Sequence, residues 1–305
     1  MTVIREGKLP TGKGMFLWIL HRLCDGDMLK LAEQLHRENY QWVCVKVVEG
    51  RLTFDPYPRE KDIPSQQELL TILAPCLENY GIELHLWGFY YGSTWSLRDN
   101  TPYEIERTLE QIAKWRPKSF MVNAETHFKR SKSRTRARDL LAGIKTGMAG
   151  ANDSIPDIPI GLSSFKFPTS HPEMPWDIFG QYADYWSPQV YWVAAHNPAS
   201  QLERSIQQHK DIADLPMIPA GSAYPDSSYR WKPSVSELRE FNDAVQEKYP
   251  GILYWEYHYI EDEPSWQDEI ASHVWEDAPE QPEPTPNKWN EALESVEKYI
   301  EGIKT

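Results

Sequence analysis

Glu125 closes the run Phe120-Met121-Val122-Asn123-Ala124-Glu125, an apolar stretch that turns acidic at its C-terminal end. A carboxyl group placed there can pass a proton to or from a reacting oxygen, so the run points to general acid–base chemistry. Side chains alternate along a strand, which puts Asn123 on the face of Glu125 and sends Val122 and Ala124 to the other. Two more glutamates end apolar runs: Glu49 in Lys46-Val47-Val48-Glu49-Gly50, and Glu256 in Tyr254-Trp255-Glu256-Tyr257-His258. Cleavage at an acetal carbon usually uses two carboxyl groups, either about 5–5.5 Å or roughly 6.5–9.5 Å apart. Glu256 and Glu49 are the candidates to partner Glu125, with Asn123 beside it. The same residues have plainer uses. Lys46 interrupts an apolar strand and is able to form a buried ion pair with Glu125, and Glu49 is able to bridge to Arg51.

Groups of this kind need a scaffold that brings strand ends together. Eight short apolar runs recur, at residues 15–20, 42–47, 83–88, 120–125, 158–163, 185–191, 216–220 and 252–256. Helical spacing fills the early gaps, with Leu29, Ala32, Leu35 and His36 after the first run and Ile105, Leu109, Ile112 and Trp115 after the third. Strands alternating with helices make parallel βαβ units. Eight such units predict an α/β fold, a closed (β/α)8 TIM barrel, in preference to an open doubly wound sheet, since no glycine-rich phosphate fingerprint follows the first run. Catalytic groups of such barrels sit at the C-terminal strand ends, and Glu125 ends the fourth run. The barrel is expected over residues 1–276. Residues 277–287 (DAPEQPEPTPN) are rich in proline and acid and read as an extended linker. Within 288–305, Trp289, Leu293, Val296, Ile300 and Ile303 step as one face of a short amphipathic helix. That helix either packs back on the barrel or serves self-association or docking to a partner.

Aromatic residues crowd the expected mouth. Trp87, Phe89, Tyr90, Tyr91 and Trp95 follow or end the third run, and Trp186, Tyr191 and Trp192 flank the sixth. Tyr224, Tyr229 and Trp231 follow the seventh, and Trp255, Tyr257 and Tyr259 the eighth. A core position is the default for any single one. Collected over four loops, they suggest a groove whose flat rings and polar tips suit sugar rings. Lys46, Trp87, Tyr90, Tyr91, Gln189, Tyr191, Trp192, Tyr224, Trp231 and Trp255 are the expected substrate contacts. Lys129, Arg130, Lys132, Arg134, Arg136 and Arg138 form a basic run beside Glu125, read either as a solvated face or as a contact for an anionic polymer.

Bulk properties exclude several classes. A net charge of −13 and a pI near 5.2 argue against a nucleic-acid partner. No apolar stretch is long enough to insert in a membrane. Residues 1–14 are polar and lack the core of a signal peptide, so cytoplasmic synthesis is expected, with any action on a cell wall reached on a particle or after lysis. Cys24, Cys44 and Cys76 have no CxxC spacing and read as free buried thiols. No HxH or HExxH occurs, and His127 and His258 are scattered, so neither a metal nor another cofactor is expected. Ser163 and Ser164 lack a GxSxG context. Asp184, just before the sixth run, is expected at the bottom of the barrel in a folding role.

Several strand ends resemble those of family 25 glycoside hydrolases, the barrel lysozymes. Lys46-Val47-Val48-Glu49-Gly50 is similar to the K-x-x-E-G of their second strand, Gly88-Phe89-Tyr90-Tyr91 to their third, and Asn123-Ala124-Glu125 to the D-x-E of their fourth. The resemblance covers about the first 130 residues in order, and it implies a (β/α)8 barrel with Glu125 as general acid. Two of the family's carboxylates are missing. The first strand reads Gly14-Met15-Phe16-Leu17-Trp18-Ile19-Leu20 without an acid, and Asn123 stands where the family has aspartate. Asp25 and Asp27 follow the first strand without aligning to the lost position. The strand-four ending also resembles chitinase-type barrels, in which the substrate's acetamido group replaces an enzyme nucleophile, and Asn123 is placed to orient such a group. The expectation is therefore a glycoside hydrolase acting on an N-acetylated or anionic polysaccharide such as peptidoglycan. The alternative is a glycan-binding or structural barrel of a phage particle or secretion machine that has lost catalysis.

Overall fold

The computed structural model describes residues 7–57, 60, 62–93, 99–151, 153–246 and 248–275. Trp95, the linker 277–287 and the helix 288–305 lie outside the described residues. The strands are β1 (Gly12–Leu17), β2 (Trp42–Glu49), β3 (Leu52–Thr53), β4 (Glu83–Tyr90), β5 (Phe120–Ala124), β6 (Ile160–Phe165), β7 (Tyr185–Val190), β8 (Ala220–Ser222) and β9 (Gly251–Trp255). Eight of them pair in parallel in the order β1-β9-β8-β7-β6-β5-β4-β2, and β1 pairs β2 to close the ring. This is the expected (β/α)8 barrel. β3 is an addition, an antiparallel flap on the end of β2. Around the barrel run α1 (Met28–Arg37), α2 (Gln66–Asn79), α3 (Thr101–Trp115), α4 (Ser133–Ala149), α5 (Trp176–Tyr182), α6 (Pro198–Lys210), α7 (Val235–Gln246), α8 (Tyr257–Glu261) and α9 (Pro264–Ser272). None of the described helices is long and apolar enough to cross a membrane.

Alternation divides the core in two. Outward residues such as Met15, Val43, Val45, Val122 and Ile252 pack under the helices, while Phe16, Trp42, Cys44, Trp87, Met121, Tyr185 and Leu253 fill the lumen. Large rings fit there because glycines face them. A Cβ at Gly14 would overlap the Trp42 ring, and one at Gly161 the Tyr185 ring. Overpacking of this kind costs about 1–3 kcal/mol. The first strand accordingly begins at Gly12, earlier than the apolar run suggested, and ends at Leu17. The seventh run behaves differently: Pro216 and Pro219 lack the N–H a ladder needs, so continuous pairing is confined to Ala220–Ser222. At the bottom of the barrel, the buried Lys13 ammonium donates to Ile270 O at 2.7 Å and to Ala271 O and His273 O at 3.3 Å. It thereby caps the C-terminus of α9, where a cation is favoured. Asp184 also lies at the bottom, bonded to Lys145 Nζ and Ile160 N at 2.9 Å.

Candidate active site

Glu125 leaves the end of β5 at the C-terminal mouth, partly exposed. Its Oε1 accepts from Gln189 Nε2 at 3.0 Å, and the same amide nitrogen lies 3.2 Å from Asn123 Oδ1 and 3.3 Å from Ser163 Oγ. Asn123 pairs with Ser163 across the β5–β6 ladder and Phe165 with Gln189 across β6–β7, so three neighbouring strands supply this cluster. Glu125 Oε2 has no hydrogen bond among the described residues.

Glu49 reaches the mouth through a backbone irregularity. Lys46 lies opposite Trp87 but Val48 opposite Gly88, so β2 carries one extra residue between them. Such a bulge re-aims the residues after it. Lys46 and Glu49, three apart, therefore share the lumen face while Val47 and Val48 both pack outward. Lys46 Nζ pairs with Glu49 Oε2, and Tyr91 OH donates to Glu49 Oε1. The ammonium also lies over Phe54 at 4.2 Å, Trp87 at 5.0 Å and Trp18 at 5.7 Å. Burial pulls the Lys46 pKa down and Glu49 opposes it. The pairings of Lys46 with Glu125 and of Glu49 with Arg51 are thus replaced by a single Lys46–Glu49 pair.

Glu256 follows β9, joined to Trp255 by a cis peptide. It is 3% exposed, and its Oε2 has no hydrogen-bond partner among the described residues. Burial pushes its carboxyl up to about 7 against the pull of the Trp18 backbone N–H and Arg22. β9 lies four strands from β5 in the ring, so Glu256 and Glu125 stand on opposite sides of the mouth. Tyr191 links them electrostatically: burial and then Tyr224, Glu125 and Glu256 raise its phenol far above the ordinary value. His127 stands near the other pair. Its ring packs edge-on to Tyr91 at 4.6 Å, and burial and Arg130 lower its pKa while Glu125 and Glu49 oppose them.

The expected wall residues divide. Tyr91, Gln189, Tyr191, Tyr224 and Trp255 lie partly exposed around the mouth, with Tyr191 edge-on to Tyr224 at 5.5 Å. Trp87 is 2% exposed and forms the floor, packed on Phe16 and Trp255. Three assignments are corrected. Tyr90 alternates away from Phe89 and Tyr91, is fully buried and bonds Thr108 Oγ1 at 2.6 Å under α3. Trp192 is fully buried against Phe241 of α7, and Trp231 is 5% exposed beside it. The Trp192 indole misses the groove because the chain turns after Val190 and breaks the strand alternation, and Trp231 is buried against it. Asp27 is likewise spent, as the N-cap of α1 accepting from Leu29 N and Lys30 N. Two of the six cations of the basic run are paired with carboxylates, Arg134 forking onto Asp177 at 2.6 Å and Arg138 meeting Asp139, while buried Arg136 bonds Ser131 O. Cys24, Cys44 and Cys76 are free and buried.

Two positioning residues carried no sequence signal. Gln66, at the start of α2, donates to Trp18 O at 3.0 Å and Lys46 O at 3.1 Å, tying the ends of β1 and β2. Glu104 of α3 is fully buried and accepts from Tyr91 N at 2.8 Å and Gly92 N at 3.1 Å, which seats the tyrosine that holds Glu49. Burial pushes the Glu104 carboxyl up to about 7.

No protein-family model matches the sequence, and comparison with curated proteins returned no match. Solved structures do match. The endo-β-1,4-mannanase from Thermotoga petrophila has a TM-score of 0.62 at 11% identity, covering 90% of this chain and 79% of that one. This protein has the fold of such enzymes. GH5_18 from Streptomyces cattleya, in complex with GlcNAc, gives 0.60 at 13% identity over 95% of this chain and 88% of that one. The chitinase-like agglutinin of Robinia pseudoacacia gives 0.58 at 10% identity over 85% and 98%. At these identities the likeness extends to the fold, and function rests on the site.

Proposed function

We propose that the protein is a glycoside hydrolase acting on an N-acetylated or anionic polysaccharide such as peptidoglycan, with Glu125 as proton donor. The supporting observation is the gathering of Glu125, Asn123, Gln189, Glu49 and Tyr191 at the C-terminal mouth, where this fold performs chemistry. Glu49, kept beside Lys46, is an anion suited to stabilise positive charge at an anomeric carbon. Glu256 is the other second-carboxylate candidate, and its unpartnered oxygen suits a ligand group that enters the throat. Asn123 is suited to orient an acetamido group, as the chitinase-type resemblance implies. The lysozyme-like reading rests on the Lys46-to-Gly50 and Asn123-to-Glu125 motifs, and action on a wall would follow carriage on a particle or release by lysis.

One observation favours the second reading, a glycan-binding or structural barrel without turnover. β1 presents no carboxylate, and its six residues are all buried. The likeness to a chitinase-like agglutinin is compatible with that alternative. Release of new reducing ends from peptidoglycan and chitin oligomers, compared between wild type and Glu125→Gln, separates the two. Release by wild type and none by the variant supports the hydrolase; retention on the glycan without release supports the binding barrel.

A further inference from the structure

The polar cluster around Glu125 has a direction built into it. A carboxylate can only accept, so the end of the Gln189 side chain that meets Glu125 Oε1 at 3.0 Å must be the nitrogen, Nε2. That nitrogen carries two hydrogens, and it also lies 3.2 Å from Asn123 Oδ1 and 3.3 Å from Ser163 Oγ. Facing a donor, the Asn123 amide must present its oxygen there and turn its Nδ2 away. One carboxylate therefore sets the orientation of two amides on two different strands, β5 and β7.

The other halves of both amides are left over. Asn123 Nδ2 and Gln189 Oε1 have no hydrogen bond among the described residues, yet neither is sealed from solvent as Glu256 Oε2 is. Asn123 is 9% exposed and its ladder partner Ser163 1%, so the clamp is seated in the barrel wall and not on a free loop. An N–H donor and a carbonyl acceptor side by side complement a secondary amide, which offers a carbonyl to one and an N–H to the other. A sugar hydroxyl must serve both from a single oxygen. Charge points the same way. A carboxylate seated here would face Glu125, and no cation bonds Glu125, Asn123 or Gln189 among the described residues, while Lys46 is already closed on Glu49. Like charges so placed repel, and a neutral amide avoids that cost.

We infer that Asn123 and Gln189 act as one amide reader, which seats the N-acetyl group of the sugar whose linkage faces Glu125. Asn123 Nδ2 donates to the acetamido carbonyl, and Gln189 Oε1 accepts from its N–H. The inference rests on the glycan reading of the mouth and deepens it, since it selects an N-acetylated glycan over an anionic one and makes Gln189 a specificity-determining residue. Gln189 also occupies Glu125 Oε1, which leaves Oε2 to meet the linkage.

The test is calorimetric binding of three short oligosaccharides of equal length. They are chitin oligomers, cello-oligomers, which carry a hydroxyl in place of each acetamido group, and oligogalacturonates, which carry carboxylates and no acetamido group. Wild type should bind chitin oligomers about tenfold tighter than cello-oligomers, the scale of one or two neutral hydrogen bonds, and oligogalacturonates most weakly. Gln189→Met keeps the length of the side chain and should lose most of that preference while binding cello-oligomers as wild type does. Asn123→Ala should lose the same preference, and the double variant no more than either single one, because the pair reads the group as a unit. Equal wild-type affinity for chitin and cello-oligomers, tighter binding of oligogalacturonates, or a preference that survives in folded Gln189→Met overturns the reader and leaves a sugar groove standing. So do losses that add in full in the double variant, or a Gln189→Met that weakens all three probes alike. Failure of folded wild type to bind any of the three overturns the groove and the reader together.

Discussion

The two sides of the mouth are built on opposite plans. On the β2–β4–β5 side the polar groups are tied to one another: Lys46 to Glu49, Glu49 to Tyr91, and Tyr91 through its backbone to Glu104. On the β9–β1 side the ring of Trp18 packs against Trp255, which Trp87 of β4 also meets across the floor, and polar atoms are left over. Glu256 Oε2, Trp18 Nε1 and Trp87 Nε1 are all buried without a hydrogen-bond partner among the described residues. A buried polar atom left unpaired costs about 1–3 kcal/mol, so three in one place need an explanation. The first side is preorganised and holds its charges in position before anything binds. A groove arranged in this way fixes charge on one flank and leaves hydrogen-bonding capacity unused on the other.

The largest test strikes the preorganised side at its reactive end. Glu125→Gln keeps the shape of the side chain and can still meet the Gln189 amide after a flip of its own amide. Glycan binding should persist within a few-fold while bond cleavage falls by about 10²–10⁴-fold, the usual contribution of a general acid. Equal loss of binding and cleavage would mean that Glu125 only holds the ligand. Next in size is Lys46→Met. It leaves Glu49 with the Tyr91 hydroxyl but without its cation, and breaking a fully buried pair costs about 3–5 kcal/mol. Glu49 is 32% exposed, so water returns part of that, and about 2 kcal/mol of unfolding free energy is expected by urea titration. A loss below about 0.5 kcal/mol would show that the pair is solvated and the flank is not preorganised.

How much of this was readable beforehand depends on how far alternation carries. Inside continuous strands it carries well. The barrel order and the pairing of Asn123 with Glu125 on one face follow from period-two alternation and from the eight runs. Where a strand is interrupted, the same logic fails. The bulge after Lys46 puts residues three apart on one face, which no alternation rule anticipates, and it turns two expected ion pairs into a different one. Tyr90 is the reverse case: alternation from Trp87 and Phe89 sends it outward, whereas the crowding of five aromatics between Trp87 and Trp95 suggests a single wall. Trp192 lies past the end of β7, held by a bond from its backbone N–H to Ser222 Oγ at 3.1 Å, a tertiary contact invisible in the local sequence. Glu104 and Gln66 look like ordinary polar residues in amphipathic helices, and only the packed structure distinguishes them.

The unpaired side responds to pH. Burial raises the Glu256 carboxyl to about 7, so between about pH 4.5 and 7 the folded chain keeps a proton that the unfolded chain has released. Stability from this group is therefore present at the acid end of that window and is lost as pH rises through it. Glu104 shifts in the same direction and adds to the trend. In Glu256→Gln the Glu256 contribution disappears. The variant should gain on wild type by on the order of 2 kcal/mol between pH 5 and pH 8, measured as the difference in urea unfolding free energy. A gap that is the same at both pH values would mean that the buried carboxyl finds a partner or stays ionised throughout.

The smallest effect separates two adjacent tyrosines and tests the boundary of the groove itself. Tyr91→Phe removes the hydroxyl that donates to Glu49, and Tyr90→Phe removes the one that meets Thr108. Thr108 Oγ1 donates to the Glu104 carbonyl at 2.7 Å, so Tyr90 is the donor in its own pair and Thr108 keeps a bond without it. Each change should cost about 0.5–1 kcal/mol of stability. The functional readout then divides them. Tyr91→Phe loosens the anion beside the reacting linkage and should lower turnover several-fold, whereas Tyr90→Phe, behind the barrel wall under α3, should leave glycan affinity and turnover unchanged. If Tyr90→Phe alters affinity as much as Tyr91→Phe does, the outer face of β4 communicates with the ligand and the groove extends deeper than its lining residues imply.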